Sequence, residues 1–273
     1  MEVNHHIFFR KTDEPLLYIY LVRSGIHFKD DEHCSFDILE SNPHWENMKQ
    51  LANMERRTSY SYTVFSKKEL LDAKWLTIRS KWEFAYPQPE RKDGYREGVY
   101  APGYCWDCSS VNQIGSFRIK KEPKWGRRNF AMLNWVGDEL FVNDRVKQVF
   151  QEEGITGIDY LPVLNKKGSE ILPGVHQLVF TDVLEKGLVI NEGIEETNTC
   201  SYCGVEKYLP SQRNILTYRK EVFDNAPDFV KSSEVFGSGH YAAHELFISQ
   251  RVYQVLTKHS LLQGLDLKPI ALV

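Results

Sequence analysis

Residues 139–163 read ELFVNDRVKQVFQEEGITGIDYLPV, and residues 245–270 read ELFISQRVYQVLTKHSLLQGLDLKPI. With one extra residue in the second stretch, Glu, Leu, Phe, Arg, Val, Gln, Val, Gly, Asp and Pro recur at matching positions. Most other pairs are conservative, such as Val142 with Ile248 and Ile158 with Leu265. The agreement runs through both flanks of a helix-like centre, so the two stretches are read as an internal repeat.

Each copy implies the same local structure. Asn143 and Ser249 stand at an N-cap, where their side chains can accept from the open amides of a first turn. Val146, Val149 and Phe150, like Val252, Val255 and Leu256, recur at i, i+3 and i+4 and give each helix one apolar stripe. Gly154 can supply a left-handed C-terminal cap in the first copy. The second copy has Ser260 and an insertion there, so its turn is expected to differ. Ile158 and Tyr160, or Leu265 and Leu267, then alternate as in a half-buried strand. Strand, helix and returning strand are thus expected twice.

Outward from these stretches the pattern is mixed. Residues 15–22 (PLLYIYLV), 60–65 (YSYTVF) and 75–84 have strand-like composition, and Ser66 can cap a short helix in KKELLDA. Residues 87–103, rich in Pro, Gly and charge, read as a loop, and 191–199 as a second polar segment. The expected organisation is an α+β N-terminal region (1–100), a second part with the first cysteine pair and first copy (101–190), and a third with the second pair and second copy (191–273).

The cysteines lie in Cys105-Trp106-Asp107-Cys108 and Cys200-Ser201-Tyr202-Cys203-Gly204. A CxxC turn aims two thiolates at one ion, and two such turns complete a tetrahedral four-thiolate zinc site. A closed site of this kind leaves no position for water or substrate, which implies one structural Zn2+ per chain on Cys105, Cys108, Cys200 and Cys203. Trp106 and Asp107 inside the first motif do not favour a thioredoxin-like redox turn. Cys34 has no partner motif and reads as a buried small side chain.

Other constellations carry less. His240 and His244 could share a helix face as a metal pair, but their order is not HExxH and Glu245 opens a strand. His5 and His6 sit near a terminus that is expected to be mobile. No nucleophile elbow or phosphate-binding glycine loop occurs, so no enzyme activity is expected. WLTIRSKWEFAY interleaves aromatic residues with Arg79 and Lys81 and could stack bases beside phosphates. Core strands with one charged face explain it more economically. A formal charge of −3 disfavours a nucleic-acid-coating surface while permitting a local basic patch. The N-terminal stretch lacks the apolar core of a signal peptide and no run spans a bilayer, which places the chain in the cytoplasm, away from membranes.

Taken in order, an N-terminal strand region, the first CxxC, a helix-containing segment, CSYCG and a second similar helix resemble the double-CXXCG motif proteins. That group includes members assigned as immunity proteins of polymorphic toxin systems. The resemblance covers residues 75–273, and Cys200–Gly204 matches the motif in full, whereas CWDCS lacks its glycine. It implies that the four cysteines are the motif cysteines and that the protein binds and neutralises a cognate protein toxin. The expected fold class is therefore α+β, with two related strand-helix-strand units joined by a zinc-ribbon-like site of four cysteines. A nucleic-acid-binding zinc protein is the alternative, followed by a metal-dependent hydrolase using His240 and His244.

Overall fold

The computed structural model describes residues 1–51, 59–91, 94–103, 105 and 113–273. They divide into two compact units: Met1–Glu69 with Gln212–Asn214, and Leu70–Ser211 with Ile215–Val273.

The first unit holds β1 (Glu2–Arg10), α1 (Pro15–Ser24), β2 (His33–Leu39), α2 (Trp45–Leu51) and β3 (Ser59–Val64). β1 lies between β2 and β3, antiparallel to both. Ile7 and Phe9 of β1 and Phe36 and Ile38 of β2 share a core with Leu17, Leu21, Trp45 and Met48 from the helices. The 15–22 stretch is a helix and not a strand. Pro15 suits its first turn, Gly25 closes it at φ 68°, and Leu17 and Leu21, four apart, are buried. Apolar residues on every side of this segment mask the 3.6-residue period. His5 and His6 are likewise ordered within β1, with His5 Nε2 2.8 Å from Glu40 and its ring stacked on Trp45 at 4.1 Å. Cys34 is fully buried.

The chain leaves this unit in α3 (Lys67–Asp72), where Ser66 Oγ accepts from the Glu69 amide and Glu69 accepts from the Ser66 amide. The second unit then runs β4 (Trp75–Ser80), β5 (Glu83–Ala85), α4 (Arg96–Val99), β6 (Arg118–Ile119), β7 (Phe130–Leu133), β8 (Val136–Val142), α5 (Asp144–Glu152), β9 (Ile158–Asn165) and β10 (Ile171–Phe180). It continues with β11 (Leu188–Val189), β12 (Ile194–Thr199), β13 (Glu206–Pro210), β14 (Thr217–Tyr218), β15 (Phe229–Phe236), β16 (Ala243–Ser249), α6 (Gln250–Lys258), β17 (Leu265–Pro269) and β18 (Ala271–Leu272). The 75–84 run is not one strand, because its two halves join different sheets.

The expected α+β architecture is therefore corrected. The fold is mostly β, with 40% of residues in strands and 19% in helices, and it is not zinc-ribbon-like. Two six-stranded sheets dominate the second unit, in the orders β5-β7-β8-β10-β9-β6 and β12-β13-β15-β16-β4-β17. The reason is long-range pairing that local periodicity does not reveal. β8 and β9 do not pair with each other, because β10 lies between them; β4, from far upstream, lies between β16 and β17 in the same way.

The registers coincide position by position. Phe141 pairs with Gln177 and Phe247 with Thr77, while Asp159 pairs with Val179 and Asp266 with Arg79. Phe130 opposes Val142 in the first sheet as Phe229 opposes Ile248 in the second. Leu140 and Val142, with Leu246 and Ile248, face one core that also takes the stripes of α5 and α6. Phe141 faces a second core with Phe117 and Val163, and Phe247 a third with Trp75 and Tyr218. Strands covered on both faces lose the simple alternation of an exposed sheet.

The two helices end alike. Asn143 Oδ1 accepts from the Val146 amide at 3.0 Å, and Ser249 Oγ from the Val252 amide at 3.4 Å. At the other end, Ile155 N–H bonds the Phe150 carbonyl and Leu261 N–H the Leu256 carbonyl, at 2.9 and 2.8 Å. Ser260 adopts φ 56°, close to the 61° of Gly154, so its turn does not differ as the sequence suggests. A left-handed non-glycine residue is strained, and Ser260→Gly is expected to stabilise the protein by about 0.5–1 kcal/mol in urea unfolding. An unchanged or lower midpoint would contradict this. The helices also meet through Glu153, whose carboxyl is held down to about 2 by hydrogen bonds from Lys258 and His259.

Candidate metal centre

The β12–β13 hairpin builds half of the site. Thr199 pairs with Glu206, and the tip between them is a knuckle in which Cys200 N–H donates to the Val205 carbonyl at 2.8 Å. Gly204 N–H donates back to the Cys200 carbonyl at 2.9 Å. This tight return places Gly204 at φ 74°, a conformation glycine reaches without strain. Cys200 is buried at the base of the tip, and Cys203 faces solvent from its outer side.

Cys105 comes from the segment after α4, ninety-five positions earlier in the chain. Its Sγ lies 3.8 Å from Cys200 Sγ, and both side chains are buried against Val205 and Ala242. That separation is far beyond the roughly 2.05 Å of a disulfide. It equals the edge of about 3.8 Å expected between two thiolates on one tetrahedral zinc at about 2.3 Å each. The Sγ atoms of Cys105, Cys200 and Cys203 all lie within 4.8 Å of one another, so these three could hold a metal ion. Cys108, the fourth expected ligand, lies outside the described residues.

His240 and His244 form no metal pair. His240 precedes β16 and His244 lies on it, so no helix brings the rings together, and His244 Nδ1 is 2.7 Å from the Ser232 carbonyl. Among the described residues no His, Asp or Glu cluster with metal-binding geometry includes them.

The chain matches no family model and no curated protein.

Sequence reading overlooks a buried charged cluster between the two sheets. Glu139 of β8 accepts from Lys231 Nζ of β15 at 2.7 Å and from Gln177 Nε2 of β10 at 2.8 Å. Gln177 in turn exchanges hydrogen bonds with Gln113 at 2.6 and 2.8 Å. Burial pushes the Glu139 carboxyl above the usual range despite Lys231. Glu245, the residue matched with Glu139, is raised for the same reason, with the Arg79 charge opposing the shift. Arg79 also donates to the Gly137 carbonyl at 2.9 Å and to Tyr241 Oη at 3.2 Å. One signal was available: a carboxylate at the same place in two otherwise apolar strands.

Proposed function

We propose that the protein is a non-enzymatic binding protein stabilised by one Zn2+, of the immunity type, which neutralises a cognate toxin by direct association. The scaffold part of this reading is carried by the convergence of Cys105, Cys200 and Cys203 from distant segments. Cys108 would supply the fourth thiolate, closing the ion to substrate and making it a clip. Zinc held by reduced thiols suits a cytoplasmic protein, and no helix among the described residues is long and apolar enough to cross a membrane.

Matching registers around β8 and β16 support reading the two halves as an internal repeat. In the first half the intervening strand, β10, follows the repeat segment; in the second, β4 precedes it, as in a circular permutation. The immunity part rests on the resemblance of residues 75–273 to double-CXXCG proteins. Co-expression with a toxin encoded beside the gene tests it. Restored growth and co-purification of a stable complex are expected. If no neighbouring toxin is bound or neutralised, the immunity reading fails while the metal centre stands.

A further inference from the structure

The edge strand β5 and its flanks are built differently from the rest of the second unit. Trp82, Phe84 and Tyr86 recur at alternate positions along residues 81–86; the first two are half-buried and Tyr86 is 40% exposed. Two pockets meet at Trp82. One, of about 320 Å³, is lined by Trp82, Phe84 and Tyr86 together with Lys120, Lys121 and Lys124. The other, of about 530 Å³, is lined by Lys81, Arg127, Arg128 and Trp82 itself. At the far end, the Tyr86 ring lies 4.6 Å from Trp135, which lines a third pocket with Tyr95, Arg96 and Tyr241. Aromatic rings and cations thus alternate along one sheet edge.

We propose that this edge is a track for single-stranded nucleic acid. Residues 120–128, KKEPKWGRR, carry five cations and one acid in a chain whose net charge is −3, so the positive potential is local to this edge. Glu90 pairs with Lys120 and Asp266 lies 3.9 Å from Lys81, which leaves Lys124, Arg127 and Arg128 as the phosphate contacts of the argument. Unstacked bases need exposed ring faces close to such cations, and a pocket that is apolar beside one that is cationic supplies both. An acidic peptide would use only the charges, and a duplex would offer no free base faces to Trp82, Phe84 and Tyr86. The track is separate from the cysteine cluster and does not depend on the toxin reading.

The test is fluorescence anisotropy with a labelled oligothymidylate of about ten nucleotides at about 50 mM salt. Binding should weaken linearly in log–log form as salt rises. Replacing Lys124, Arg127 and Arg128 with alanine should lower that slope by about two, because each single-strand phosphate contact contributes about 0.7. These three side chains are exposed, so the fold is not at risk. Tyr86→Ala should weaken binding about tenfold, while Tyr86→Phe, which keeps the ring, should bind as the parent does. No binding at this salt would overturn the proposal. So would equal competition by polyglutamate or by a duplex of the same length, with Tyr86→Ala unchanged.

Discussion

Protein purified without chelator is expected to carry about one zinc ion per chain, and Cys203→Ser is expected to lose it. Cys203 is the informative position because its side chain is exposed, so serine there disturbs no packing and any loss of stability comes through the metal. The clip joins segments ninety-five positions apart, and constraining a loop of that order in the unfolded chain is worth at most about 4 kcal/mol. The second unit has three apolar cores of its own, so it should remain folded without the ion but melt about 5–15 °C lower. EDTA should bring the parent down to the variant's melting temperature and leave the variant unchanged. Cys34→Ser, remote from the cluster, should retain the zinc. A metal ratio near zero, or an equal response of parent and variant to EDTA, would remove the centre.

What the sequence disclosed follows how local each interaction is. The N-caps at Asn143 and Ser249 and the stripes Val146-Val149-Phe150 and Val252-Val255-Leu256 depend on neighbours three or four residues away, and they form as read. Convergence of Cys105 with Cys200 and Cys203 was also legible, because CxxC spacing encodes a shared ion chemically and not through contact. Sheet order was hidden. Nothing near Trp75–Ser80 announces that it will lie between two strands almost two hundred residues downstream, and that placement makes the fold mostly β. In α1, Leu16, Ile19 and Val22 stay exposed beside buried Leu17 and Leu21, so an apolar run looked like a strand. The WLTIRSKWEFAY stretch divides in the same way: its first half is core, and its second half leaves aromatic rings at a sheet edge.

Lys231→Met is the substitution with the largest expected effect on the fold outside the cysteines. It preserves much of the side-chain volume but leaves Glu139 buried without its cation, and breaking one side of such a pair costs about 3–5 kcal/mol. The Glu139 carboxyl already lies above its ordinary value because burial disfavours the charge, with Lys231 opposing. Removing the lysine removes that opposition. The folded protein then holds the Glu139 proton more tightly than the unfolded chain does. Stability is therefore retained below the unfolded carboxylate value and lost as pH rises through the raised folded value. The single variant should accordingly be closest to the parent at acid pH and furthest from it at neutral pH in urea unfolding. Adding Glu139→Gln should recover most of the loss, since an amide oxygen can still accept from Gln177 Nε2 and no charge remains to be buried. If Lys231→Met stays within about 1 kcal/mol of the parent at neutral pH, or the double variant is no better than the single one, the pair is not what holds β8 against β15.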